Sequence, residues 1–391
     1  MRAVTWQGKR DVRVEDVPDP TIQEPTDVII EVTSSGLCGS DLHLYETLGA
    51  FLHPGDVLGH EPMGRVVATG SAITDLRVGD RVVVPFQIAC GRCWMCQHDL
   101  QTQCETTQVR EHGMGAALFG YTDLYGSVPG GQAELLRVPH ADYGPIKVED
   151  GPDDDRFLFL SDVLPTAWQG VRYAGVVPGD VLVVLGLGPI GEMAARVALQ
   201  QGVRVIGVDR VPARLERSRT LGVDVLELGS DLVEEVLSRT DGRGADAVLD
   251  AVGMEAHGSP VAEVAQKVAS RLPDALARPL MTSASTDRLE ALKTAVALVR
   301  RGGTVSLSGV YAGAADPLPM QTIFDKQLTL KMGQANVRRW LEEMLPLVQD
   351  PSDPLGLETF ATHHRPLEEA PAAYAAFQAK DDDMIKTVFR P

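Results

Sequence analysis

Over the first third of the chain the apolar positions come in short alternating runs. DVIIEVTSSG, GRVVATG and DRVVVPF set β-branched residues between breaks that contain glycine or proline, a period-two pattern that predicts brief strands joined by turns. A twisted, mostly antiparallel, barrel-like sheet is expected there. From Gly179 onward the period changes: DVLVVLG, the helical GPIGEMAARVALQQG, RVIGVD, the helical VPARLERSRTLG and VDVLEL follow one another. Strand and helix in alternation build a doubly wound parallel sheet with helices on both faces. ADAVLDAVG and GTVSLSGVY read as further strands of that sheet, and LTLKMGQ as the strand that closes it. Near the end, WLEEMLPLV and APAAYAAFQA read as amphipathic helices and MIKTVFRP as a terminal strand returning to the first sheet.

A length of 391 residues exceeds what one hydrophobic core sustains, so two domains are expected. The change of texture places a mostly β domain over residues 1–165, a parallel-sheet domain over 166–334, and a return to the first domain over 335–391. The segment from Glu255 to Glu290 is longer than an ordinary connection between strands and reads as an insertion. Glycines, a proline and charges interrupt the most apolar stretch, VLVVLGLGPIGEMAARVALQ, which excludes a membrane span there. The opening MRAVTWQGKR goes directly into polar residues, which predicts a cytoplasmic, reducing setting. A formal charge of −18 with no basic stripe argues against nucleic acid and anionic membrane surfaces as partners.

Cysteine placement adds chemistry to this outline. Cys90, Cys93, Cys96 and Cys104 lie in the run CGRCWMCQHDLQTQC, spaced C-x2-C-x2-C-x7-C. Short gaps turn the backbone back on itself while the longer gap closes the loop, so four thiolates can converge on one tetrahedral zinc. An iron–sulfur cluster uses similar ligands, and a disulfide framework would need an oxidising compartment. The fifth cysteine, Cys38, opens CGSDLH, and His60 with Glu61 lies in GHEPMGRVV. One thiolate and one imidazole are part of a zinc site that keeps an open position for substrate. Directly after the apolar VLVVL comes GLGPIG, with Gly186, Gly188, Pro189, Ile190 and Gly191. Glycines at that spacing make a tight turn, admit a pyrophosphate to the backbone, and let helix pack on strand. Asp209 ends the next strand, where a carboxylate can accept both ribose hydroxyls of an adenosine and repel a 2′-phosphate; NAD is therefore favoured over NADP. Arg210 follows it and can offset that repulsion or stand as a surface charge.

With CGSDLH, GHE, the four-cysteine lobe, GLGPIG and a strand-ending Asp209 in this order, the chain resembles the zinc-containing medium-chain alcohol dehydrogenases over nearly its whole length. SDVLPT, GGQAE, DAVGMEAHG and the insertion resemble the glutathione-independent formaldehyde dehydrogenase-like branch. The resemblance implies a GroES-like catalytic domain carrying a structural zinc lobe at about residues 88–105, and a Rossmann NAD-binding domain. It implies two zinc ions per chain, the catalytic one held by Cys38, His60 and Asp162, where much of the family has a second cysteine. A carboxylate there keeps two anionic ligands and presents a harder donor. It further implies a proton path from the alcohol through the Ser40 hydroxyl, the nicotinamide ribose and His43. Glu61 then stands beside the ligands, orienting the site, entering zinc coordination or forming a structural ion pair. Phe86 lines the substrate channel, and Lys386 reaches the cofactor pyrophosphate. The implied reaction moves a hydride between a small alcohol, or an aldehyde hydrate, and NAD, in a homo-oligomer of two or four chains. An aldehyde dismutase that retains its NAD, a zinc-free reductase, and a zinc- and NAD-binding redox sensor without turnover are the alternatives. The pair His363–His364 is assigned to surface or packing roles.

Overall fold

The computed structural model describes residues 1–252, 289–311, 318–381 and 383–391, so the expected insertion falls almost wholly outside the described residues. The chain forms two compact units, Met1–Pro165 with Ala335–Pro391, and Thr166–Gln334. The first opens with a hairpin, β1 (Arg2–Gly8) and β2 (Asp11–Asp16), and continues through β3 (Val28–Leu37), β4 (Glu61–Thr69), β5 (Arg81–Val83), β6 (Leu135–Val138) and β7 (Ile146–Lys147). The second unit contains β8 (Val181–Leu185), β9 (Arg204–Asp209), β10 (Asp224–Glu227), β11 (Ala245–Asp250), β12 (Val299–Leu307) and β13 (Thr329–Met332). The chain then returns to the first unit with β14 (His363–Pro366) and β15 (Thr387–Arg390).

In the first unit the sheet runs β14-β15-β3-β4-β5-β7, with β6 also paired to β3. Every pairing is antiparallel except β14 with β15. Val28, Ile30 and Val32 of β3 bury one face against Val66, Val82, Leu136 and Phe119. Each such side chain contributes roughly 1.5–3 kcal/mol by leaving water. The register then decides where chemistry can occur. Gly36 lies opposite Glu61 on β4, and Leu37 opposite Thr387 on β15. Cys38, His60, Glu61 and Lys386 therefore meet at one end of the sheet.

The second unit is a six-stranded, wholly parallel sheet in the order β10-β9-β8-β11-β12-β13. That order reverses direction after β8, the arrangement in which ligands bind beyond the carboxyl ends of the strands. Val183, Leu185, Ile206, Val208, Val248 and Val305 supply its core, joined by Leu292 and Val296 from the helix Glu290–Leu298. Such near-continuous apolar strands are what a sheet covered on both faces requires. Among the described residues, no helix is long and apolar enough to cross a membrane.

Candidate metal centre and dinucleotide turn

Cys38 follows β3 and caps the helix Gly39–Glu46, while His60 precedes β4 and Asp162 lies just before the helix Val163–Ala174. These three and Glu61 bring one ligand atom each to within 4.8 Å of one another, and all four are buried. Cys38 Sγ lies 3.5 Å and His60 Nε2 lies 3.4 Å from Asp162 Oδ2. Burial, and next the Asp162 carboxylate, push the Cys38 thiol up to about 11. Burial likewise raises Glu61, outweighing its neighbour Lys386. The imidazole of His60 moves well upward: burial opposes its charge, but Asp41 and Cys38 outweigh that. With Glu61 already paired to Lys386, the thiol of Cys38, the imidazole of His60 and the carboxyl of Asp162 converge as buried donors that a divalent cation suits. Mixed S, N and O donors of this kind suit zinc.

Asp41, which the sequence reading passed over, faces the other nitrogen of His60, with Oδ1 at 3.1 Å from Nδ1. It also accepts the Cys38 N–H at 3.0 Å. A carboxylate behind a ligating histidine fixes its tautomer and orientation. The available signal was position, since Asp41 stands three residues after Cys38 in CGSDLH and closes a capping box there. Ser40 and His43 lie on the same helix, Ser40 half-buried and His43 buried. Phe86 is buried, and its N–H donates to the Ser161 carbonyl at 3.1 Å, next to Asp162.

Lys386 lies beside Glu61. Its side chain is 0% exposed, and its ammonium donates to the Glu61 carboxylate at 2.6 Å and to the Leu37 carbonyl at 3.0 Å. Lys386 immediately precedes β15, whose pairing with β3 brings it beside Leu37 and Glu61; there it serves as the counter-ion of Glu61. His364 of the expected surface pair meets Asp155 at 2.5 Å.

Cys90, Cys93, Cys96 and Cys104 form a second cluster with ligand atoms within 4.8 Å of one another. Cys90 N–H and Cys96 N–H point at the sulfurs of Cys104 and Cys93, at 3.4 and 3.5 Å. Burial pushes the Cys104 thiol up, but donors from Thr107, Cys90 and Thr106 outweigh it and lower the thiol to about 6. Cys104 is thus disposed to be a thiolate, the form that binds metal, while burial and then Cys93 push the Cys96 thiol upward.

In the second unit Gly186 has φ +84°, and a Cβ on Gly191 would lie 1.7 Å from the Gly186 carbonyl oxygen. Neither position admits a side chain. Gly188 caps the helix Pro189–Gln200, with Pro189 in its first turn. A helix amino terminus behind a bare glycine turn suits a pyrophosphate. Asp209 accepts N–H groups from Leu187 at 2.7 Å, Arg210 at 2.6 Å and Val211 at 2.9 Å, which holds its carboxylate against that turn. The Arg210 side chain is exposed.

A parallel dinucleotide-type sheet in one unit, with two metal-ready clusters in the other, defines a zinc-binding dehydrogenase. Residues 24–148 match the alcohol dehydrogenase GroES-like domain and residues 189–268 the zinc-binding dehydrogenase family. A zinc-type alcohol dehydrogenase-like protein, AdhB of Bacillus subtilis, is 38% identical over 100% of both chains. The formaldehyde dismutase of Pseudomonas putida is 33% identical over 96% of this chain and 94% of its own. The alcohol dehydrogenase TADH from Thermus sp. ATN1 superposes with a TM-score of 0.80 at 35% identity, covering 100% of this chain and 99% of that one. The chain belongs to the zinc-type alcohol dehydrogenase family.

Proposed function

We propose that this chain is an NAD-dependent dehydrogenase with two zinc ions, interconverting a small alcohol and its aldehyde or ketone and oxidising hydrated aldehydes to acids. The observation that carries this reading is the buried convergence of Cys38, His60 and Asp162. Zinc held there supplies Lewis acidity to the substrate oxygen, and NAD supplies the hydride acceptor. Residues 1–165 and 335–391 are assigned the chemistry, and residues 166–334 the NAD. Ser40 takes the substrate hydroxyl proton, and His43, three residues along the same helix and so on the same face, passes it outward. Glu61, neutralised by Lys386, steadies the ligands from behind, and Phe86 walls the substrate side. The glycines of GLGPIG receive the pyrophosphate, and Asp209 selects NAD over NADP with Arg210 at its rim.

The likeness to a formaldehyde dismutase favours small aldehydes, formaldehyde among them. The four thiols of the lobe form the structural zinc site. Five free cysteines suit a reducing cytoplasm. A homo-oligomer is supported by β13, an edge strand of its sheet among the described residues, which carries the exposed Met332 and follows the exposed Met320 and Phe324. Elemental analysis of the purified protein, paired with an NADH absorbance screen of alcohols and aldehydes, tests the reading. Two zinc equivalents with turnover are expected; one zinc with no turnover on any substrate would sink it.

A further inference from the structure

Behind His60 the buried polar groups form one connected chain. Tyr374, on the helix Ala370–Ala379, donates its hydroxyl to Gln132 Oε1 at 2.8 Å. Gln132 Nε2 donates to the Gly36 carbonyl and to Asp41 Oδ2, each at 3.3 Å. Asp41 Oδ2 also accepts the Cys38 N–H at 3.0 Å, and Asp41 Oδ1 lies 3.1 Å from His60 Nδ1. Asp41, Gln132 and Tyr374 are fully buried, so no solvent stands in for a missing partner.

Only one direction of donation satisfies this chain. Turning the Gln132 amide over would set its oxygen against two other acceptors, the Gly36 carbonyl and the Asp41 carboxylate, and lose both bonds in a dry site. The amide nitrogen therefore faces Asp41, and the amide oxygen must take its hydrogen from Tyr374. Asp41 Oδ2 is then filled by two donors, which leaves Oδ1 to face the imidazole. A carboxylate oxygen only accepts, so a ring proton must sit on Nδ1, which leaves Nε2, 3.4 Å from Asp162 Oδ2, as the nitrogen that a metal at this cluster would take.

We propose that Gln132 and Tyr374 are positioning residues for the metal: acting through Asp41, they fix which nitrogen of His60 is bare and hold the Cys38 backbone at the same carboxylate. The inference rests on the reading of Cys38, His60 and Asp162 as a zinc site. It makes a segment near Gly131 and a helix close to the carboxyl end part of the metal-binding apparatus, although neither supplies a ligand.

The test uses the full-length protein with both sites loaded, in the variants Tyr374→Phe and Gln132→Leu. Zinc affinity at each site is read by chelator competition, and the assembled site is also loaded with Co²⁺ for its absorption spectrum. Gln132→Leu is expected to weaken metal at this site about 10–100-fold, the range for partners that orient a ligand. Tyr374→Phe should weaken it roughly two- to tenfold, the worth of one hydrogen bond. Both should shift the Co²⁺ bands while the four-cysteine site keeps its affinity. A merely structural role would lower the melting temperature and leave the affinities and the Co²⁺ spectrum of folded protein unchanged, and that result overturns the proposal. If Gln132→Leu does not fold, Tyr374→Phe, which removes one oxygen, decides alone. Wild-type protein that binds no metal at Cys38 and His60 would instead refute the zinc-site reading itself.

Discussion

The two cysteine-containing clusters reach similar compactness by opposite routes. In the lobe, Cys90 to Cys104 lie within one short run, and backbone N–H groups from the same turns point at their sulfurs. The other cluster joins Cys38 to an aspartate 124 residues away and depends on the register of β3 against β4 and β15. The lobe remains partly open to solvent at Cys93, whereas every member of the assembled cluster is buried. A local site can close around metal by itself, which suits a structural role. An assembled site is only as good as the sheet that builds it, and its buried charges make the metal part of its electrostatics.

The sharpest way to separate the two is Asp162→Ala. Removing a ligand should cost more than the roughly 10–100-fold typical of partners behind ligands, so turnover should fall by at least about a hundredfold while the lobe keeps its metal. Two retained zinc equivalents per chain by elemental analysis would refute the assignment of Asp162. The converse change, Cys104→Ser, should release lobe metal and lower stability by several kcal/mol, on the order expected when a structural site is lost. Denaturant unfolding reads that loss, and unchanged stability with metal gone would deny the lobe a structural role.

A third change probes how Asp162 is held in place. Asp154, eight residues earlier, accepts Ser34 Oγ at 2.6 Å and Arg81 at 2.5 Å, and so clamps the segment that leads to the ligand. Asp154→Ala leaves Arg81 short of its partner and should cost about 3 kcal/mol, with metal lost from the assembled site before the lobe. Burial raises the Asp154 carboxyl, but Ser34, Thr33 and Arg81 outweigh it and hold the group below its usual range. A depressed folded value gives stability that is full above the unfolded value near ~3.9 and lost as pH falls through the folded one. Wild-type unfolding free energy should therefore decline below about pH 4, and the variant should decline less steeply. The smallest effect is expected in the second unit: Asp209→Ala should narrow the preference for NAD over NADP by about tenfold, or roughly 1.4 kcal/mol. An unchanged ratio of kcat/KM values would place ribose recognition elsewhere.

What was legible beforehand follows the same division. The lobe cysteines and the glycines of GLGPIG could be read directly because their geometry depends on neighbours a few residues away. The alternating strand and helix pattern from Gly179 onward likewise gave the parallel sheet, since periodicity is a local property. Asp162 was reached only through family resemblance, because nothing around it signals Cys38. Asp41 and Gln132 went unread, as their roles exist only once β3 and the helix after it place them beside His60. The Lys386 partner went unread for the same reason: its position in the chain gives no direction for its side chain, and the pairing of β15 with β3 turns it inward to Glu61.

The most direct test of the contrast between the clusters is timed chelation of the zinc-loaded protein, following zinc released, NADH formed from an active alcohol or aldehyde, and thermal stability together. The account predicts that turnover disappears with the zinc of Cys38, His60 and Asp162, while stability falls steeply only with the zinc of the lobe. Full turnover after the first site has emptied, or activity that tracks only the lobe zinc, would contradict it.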